Sequence, residues 1–322
     1  MLFNLFKVKG RLNFIIKNHS IRYVHSKSSN INQIEQTGEI ILPYHVMEDG
    51  KINDYRELTS IIEDFIENKG WKNKSLYFTV PDHSVVIRPY KVPATLKADE
   101  IKGYLYMQLG ETLHLPFEDP AFDYSILENG EKETELLLFA YPEEQIRKLE
   151  QVFKDAKLKP KAADISALSV YRFYEHLGMA AKEEHLLLID WNMDGCVLTV
   201  FKEHLPAFIN HTKSPLALNL WKRENGRYIW QGDEGDPSDF TYDQVNEIER
   251  IMDFYRFSLM NGEAGVSKVL LTGDWPENER ALSLLEEKAI HVETLMEPSL
   301  FIETEHPVSV ECVDAIGLSI KQ

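Results

Sequence analysis

The feature that most constrains this chain is an order of elements that occurs twice. Leu12–Ile16, Ile21–His25 and Glu39–Leu42 are rich in β-branched and aromatic residues and are parted by Asn, Ser and Lys turns, so they read as three short strands. A helix follows. Between Asp54 and Asn68 the apolar residues Leu58, Ile61, Ile62, Phe65 and Ile66 recur at helical spacing, with Asp54 and Glu57 forming a capping box and Gly70 marking the stop. Ser75–Val80 then reads as a strand closed by Pro81. The same order returns at His185–Asp190, Cys196–Phe201 and Pro206–Asn210. After a polar excursion over 223–239 come a helix from Thr241, capped by Gln244, to Asn261-Gly262, the strand Ser267–Leu271 and the turn Thr272-Gly273-Asp274. This repetition predicts an α/β architecture of two related halves with a cleft between them.

Residues 83–160 interrupt the repeat with a pattern of their own. Val85–Tyr90 reads as a strand, Ala98–Leu113 as a helix, Phe122–Leu127 and Glu135–Ala140 as strands about the Asn129-Gly130 hairpin turn, and Glu143–Ala156 as a helix. That order suits a small α+β lobe. The chain returns through a helical stretch bearing Ile165, Leu168, Tyr171 and Tyr174. The expected units are therefore a first half over 1–82 and 161–184, an inserted subdomain over 83–160, and a second half over 185–322.

With 322 residues the chain can bury a substantial core, and 35 Lys and Arg against 52 Asp and Glu leave a net charge of −17. Such a surface repels phosphate backbones, so nucleic acid is not an expected partner. Cys196 and Cys312 form no metal or disulfide spacing, and a reducing cytoplasm fits them. No run approaches the ~20 apolar residues of a membrane span, and Lys7, Lys9 and Arg11 interrupt the apolar start before a signal peptide could form.

Other constellations read as structural. Asp82-His83-Ser84 holds the residue types of a catalytic triad, but neighbours on an extended chain point opposite ways. The acidic run Gly232–Pro237 lacks the alternating ligands and terminal Glu of a calcium loop. His204, His211, His291 and His306 have no metal-pairing spacing, and Cys196 has no activating partner.

Taken in order, several stretches resemble the PilM proteins of type IV pilus assembly, relatives of the division protein FtsA with the actin-like ATPase (ribonuclease H-like) fold. They are Met1–Lys7, Arg88–Pro93 with the following Glu100–Pro116 helix and turn, Asp123-Tyr124, Glu247–Ser258, Leu270–Gly273 and Ala315–Leu318. In actin-like ATPases two hairpin turns carry an Asp and a Gly, so that backbone N–H groups meet phosphates and the Asp orients magnesium or water. A third, glycine-rich turn meets the adenosine. Here Ile15, Ile16 and Lys17 stand where the first Asp-Ile-Gly belongs. The second turn keeps Asp190 but has Asn192 for its Gly, and the third keeps Thr272 and Gly273 but has Asp274 for its second Gly. The outer part of the second half is also short between Asn210 and Thr241.

The resemblance thus implies degenerate nucleotide motifs and, in the first place, a non-catalytic scaffold rather than an enzyme. The scaffold would be cytoplasmic, peripheral to the inner face of the cell membrane, and would serve pilus or competence pseudopilus assembly. Its implied partner is the cytoplasmic N-terminal peptide of a PilN-like single-span membrane protein, beside other assembly proteins. Candidate contacts are Arg88, Tyr104, Leu105, Gln108 and Leu109. The alternative is an actin-like ATPase that still binds ATP with magnesium, Lys17 meeting a phosphate as a point charge beside Asp190, Asn192, Thr272 and Gly273.

Overall fold

Two five-stranded sheets with the same strand order organise the computed structural model, which describes residues 10–224, 227–232, 236–295 and 312–322. Met1–Lys7, residues 233–235 of the acidic run and His306 lie outside the described residues. In the first sheet Arg11–Ile16, Ser20–Ser26 and Ile34–Ile41 form an antiparallel meander, and Ser75–Thr79 and Lys159–Asp164 add in parallel beyond Arg11–Ile16. The second sheet repeats this with His185–Asn192, Gly195–Lys202 and Leu205–Lys213 as the meander and Lys268–Thr272 and Val292–Thr294 as the parallel pair. Residues 12–42 and 185–210 therefore hold equivalent places, as the repeated element order predicts.

Local chemistry explains the elements that match. The helix Tyr55–Lys69 starts where the Asp54 carboxylate accepts from the Glu57 N–H at 2.9 Å, and it stops at Gly70, whose φ of 66° is left-handed. Its buried face, Leu58, Ile62 and Ile66, packs with Leu12, Phe14, Leu76 and Phe78, each such side chain contributing ~1.5–3 kcal/mol of burial.

Several elements differ from the sequence reading, among them the strands Trp221–Glu224 and Arg227–Trp230, which pair as a hairpin where a polar excursion is expected. The third strand begins at Ile34, because its pairing with Ser20–Ser26 runs past the apolar residues. Lys159–Asp164 is a strand although KPKAAD has little β preference, its partner Ser75–Thr79 imposing the extended form. The Ala98–Gln108 helix stops short of Leu113, since Gly110 turns the chain at φ 82°. The long helix of the second half, Pro237–Phe254, starts before Thr241: Asp236 caps it through the Ser238 N–H, and Thr241 instead donates to the Pro237 carbonyl.

The small lobe is a three-stranded sheet with Glu133–Pro142 between Val86–Pro93 and Pro120–Asn129. The Ala98–Gln108 helix closes a core of Val92, Ile101, Leu105, Phe122, Leu136 and Leu138. The Glu143–Asp155 helix, read together with this lobe, buries Leu149, Val152 and Phe153 in the core of the first large sheet, with the Phe153 ring 5.1 Å from that of Phe78.

A third layer joins the two sheets. The helices Ser166–His176 and Val313–Ser319 bury Phe173, Tyr174, Ile316 and Leu318 in one cluster with Ile15 from the first sheet and Leu188 from the second. At their crossing Gly317 lies on the Ser169 carbonyl, and a Cβ there would come within 1.7 Å of that oxygen. Only glycine permits this approach.

Candidate functional site

Three turns converge where the sheets meet. The first hairpin turns at Lys17, whose N–H donates to the Ser20 carbonyl at 2.9 Å, and the second turns between Asn192 and Gly195. The turn after Lys268–Thr272 runs over the second hairpin at backbone distance. Gly273 has φ 109°, and a Cβ on it would sit 1.9 Å from the Trp191 carbonyl oxygen.

The side chains carried into this junction form a buried ion cluster. Lys17 Nζ donates to Asp82 Oδ2 at 3.2 Å and to Asp190 Oδ2 at 3.0 Å. The Arg22 guanidinium donates to Asp314 at 2.9 Å, to Asn192 at 3.1 Å and to Asp274. His19 shares a 2.7 Å hydrogen bond with Asp274, whose other oxygen accepts from the Met193 N–H at 3.0 Å. The Asn18 N–H donates to Asp194 at 3.1 Å. The His19–Asp274 and Asn18–Asp194 contacts tie the first hairpin to the second half.

Burial and charge oppose one another here, and charge wins at the cations. Burial works against the Lys17 ammonium, yet Asp190 and Asp82 hold its pKa far above the ordinary value. Burial likewise works against Arg22 and His19, but Asp274 raises both, with Asp314 adding to the effect on Arg22. Asp274 is held well below the usual carboxylate range, Arg22 and His19 outweighing its desolvation. At Asp314 burial prevails over Arg22 and pushes the carboxyl up.

Magnesium does not fit Asp82 and Asp190. Asp82 accepts from Ser166 on Oδ1 and from Lys17 on Oδ2; Asp190 accepts from Asn192 on Oδ1 and from Lys17 on Oδ2. Both oxygens of Asp82 and both of Asp190 are thus already occupied by donors of the chain. His19, Glu39 and Asp274 also bring ligand atoms within 4.8 Å of one another, but Arg22 supplies the positive charge between Asp274 and Glu39.

Of the residues singled out from sequence, Lys17, Asp190 and Asn192 meet in this cluster, and Lys17 is spent on carboxylates rather than left for a phosphate. Thr272 and Gly273 stand at its edge as a buried strand end and a tight turn. Ile15, at the position of the missing carboxylate, is a core residue. His19, Arg22, Asp82 and Asp314 were missed. Arg22 lies in a strand buried at every position, and Asp314 in the apolar run Val313–Leu318; a charge inside an apolar stretch was the available signal. Asp82-His83-Ser84 makes no triad: Ser84 and His83 share a 2.9 Å hydrogen bond, but Asp82 turns to Lys17 and Ser166.

The proposed partner contacts lie on the small lobe. Leu105 is wholly buried among Ile101, Phe122 and Leu136 and offers no surface to a partner, because the helix turns its apolar face to the sheet. Gln108 accepts from Thr112 at 2.7 Å, and Tyr104 and Leu109 pack at the rim of the lobe core. A separate groove runs between this lobe and the first large sheet. Its volume is about 300 Å³, and its walls include Val85, Phe139, Tyr141, Ile146, Ile165 and Leu168. None of the five candidate contacts lines it.

Two meander sheets of one topology, with hairpin turns facing across a cleft, define an actin-like protein. A Bacteroides thetaiotaomicron protein of unknown function with an actin-like ATPase fold superposes with a TM-score of 0.51 at 10% identity, over 100% of both chains. The type IV pilus biogenesis complex PilM-PilN matches with a TM-score of 0.74 at 15% identity, over 98% of this chain and 100% of that one. The cytoplasmic domain of EpsL, an inner membrane component of the Vibrio cholerae type II secretion system, matches with a TM-score of 0.50 at 10% identity, over 97% and 96%. By sequence, residues 15–213 match the family described as type IV pilus assembly protein PilM, and the chain belongs to that family. No curated protein matches it by sequence.

Proposed function

We propose that this protein is a cytoplasmic scaffold of type IV pilus or competence pseudopilus assembly that takes the N-terminal cytoplasmic peptide of a PilN-like single-span membrane protein into the groove beside its small lobe. The observation that carries this reading is the pair of strands along the groove. Pro120–Asn129 is an edge of the three-stranded sheet and Lys159–Asp164 an edge of the first large sheet, and both contribute groove-lining residues. Each edge leaves a row of main-chain donors and acceptors without a ladder partner, the template on which an extended peptide adds as a further strand. The apolar walls supply side-chain pockets for specificity.

Membership of the PilM family and the shared fold with the PilM-PilN complex support this partner class. Among the described residues no helix is long and apolar enough to cross a membrane. A peptide from a membrane protein would hold the scaffold at the inner face of the membrane and connect it to other assembly proteins. Two or three apolar anchors at ~1.5–3 kcal/mol each, less the cost of ordering the peptide, place the complex in the micromolar range. Calorimetric titration with the N-terminal cytoplasmic peptide of a PilN-like membrane protein tests this. Phe139→Glu and Leu168→Glu should each weaken binding about tenfold or more, as the loss of one buried anchor requires. Met107→Glu, at a side chain 72% exposed outside the groove, should leave it unchanged. Equal binding by all three variants would remove the groove from the reading.

A further inference from the structure

We infer that the ammonium of Lys17 stands in for the nucleotide-bound cation of the actin-like fold, so that the chain itself ties its two halves together at the wall of a cleft of about 300 Å³ lined by Lys17, Asp82, Asn192 and Asp194. This inference is independent of the peptide reading. In an actin-like ATPase the charge joining the two hairpin turns comes with magnesium and phosphate; here it is covalently part of the first turn. Lys17 reaches Asp82, which follows the strand Ser75–Thr79 of its own half, and Asp190, which belongs to the second half. Arg22 makes a second bridge, from the first sheet to Asp274 of the second half and Asp314 of the closing helix. All six side chains are buried.

Two physical consequences exclude a return to nucleotide. A divalent ion would have to displace an ammonium that satisfies both carboxylates, and would bring its own two charges beside Lys17, Arg22 and His19. A polyphosphate would bring negative charge against Asp190, Asp194 and Asp274, and the cations Lys17, Arg22 and His19 are already held within the cluster. Parting the halves would strand buried charges, the costly state for any ion pair. The halves are therefore fixed in one relation without a ligand, and the cycle of nucleotide-driven opening and closing is absent.

Thermal unfolding of the full chain with and without magnesium-ATP, magnesium-ADP or magnesium alone, each at millimolar concentration, tests this tie directly. The expected result is a Tm shift within about 1 °C in every case, because a ligand at a hundred times its Kd would raise stability measurably. A saturable rise in Tm with either nucleotide would overturn the inference. The second arm is a double-mutant cycle. Lys17→Met should lower Tm by about 5 °C or more, and adding Asp190→Asn to it should recover part of that loss, because the stranded carboxylate is then gone. Additive losses, or a Lys17→Met variant with unchanged Tm, would show that no latch joins the two halves.

Discussion

The same substitution, glycine to alanine, should act with opposite sign at two helical positions. At Gly317 the new Cβ would lie 1.7 Å from the Ser169 carbonyl oxygen, where ordinary contact begins at 3.4 Å, so the two helices must part by about 1.7 Å. Backbone stands on both sides of the clash, and no rotamer can relieve it. Separation loosens Val170, Phe173, Ile316 and Leu318, and overpacking of this kind costs about 3 kcal/mol. For a chain of 322 residues that corresponds to a Tm lower by roughly 4–5 °C. Because Asp314 lies in the same helix and Lys321 just beyond it, the Arg22 bridge and one end of the groove beside the small lobe should loosen with it. At Gly103, in the exposed middle of the Ala98–Gln108 helix, nothing lies within 4 Å of the added Cβ. Alanine there gains only helix propensity, ~0.8–1.0 kcal/mol of stabilisation. Paired urea and calorimetric unfolding of both variants decides the matter. Shifts of the same sign, or a Gly317→Ala Tm within about 1 °C of the parent, would refute the close crossing.

Acid should destabilise the protein before its carboxylates titrate. Burial, with help from Lys74, lowers the His25 pKa to about 4. Between that value and the ordinary ~6.5 the unfolded chain binds the proton and the folded chain does not, so stability is full above ~6.5 and falls toward pH 4. The loss from His25 should be about 1–2 kcal/mol after solvent screening, with the partly exposed His83 and the exposed His211 shifted in the same direction. His19 acts oppositely: its pKa is raised, so its contribution is full below ~6.5 and fades as pH rises through the folded value. Urea midpoints across pH 4–9 should therefore fall on the acid side, and a midpoint that rises on acidification would contradict this. Arg22→Met should cost ~3–5 kcal/mol by stranding Asp274 and Asp314, read as a lower urea midpoint; a change below ~1 kcal/mol would show the cluster to be solvated.

The fold was legible because both meanders write their β-branched alternation locally, and because Asp54 and Gly70 mark helix ends through chemistry confined to a few residues. Lys159–Asp164 was not legible, since only Ser75–Thr79 beside it makes that stretch extended. The cleft was half legible. The departures at Ile15, Lys17, Asn192 and Asp274 showed that the nucleotide motifs were altered, but the replacement depends on contacts such as Arg22 with Asp314, 292 residues apart. Leu105 shows the reverse difficulty. Its helix has apolar residues on more than one face, and only the packed sheet reveals which of them is core.

The most direct measurement of the scaffold reading is amide hydrogen exchange of the full chain, with and without the N-terminal cytoplasmic peptide of a PilN-like membrane protein. Strand addition gives main-chain N–H groups a new acceptor, so exchange should slow along Pro120–Asn129 or Lys159–Asp164, the two edges of the groove. Exchange around Lys17, Asp190 and Gly273 should stay as it is in the free protein, because the ion cluster is already closed. Slowing confined to the hairpin turns of the cleft, with both edge strands unchanged, would contradict the reading.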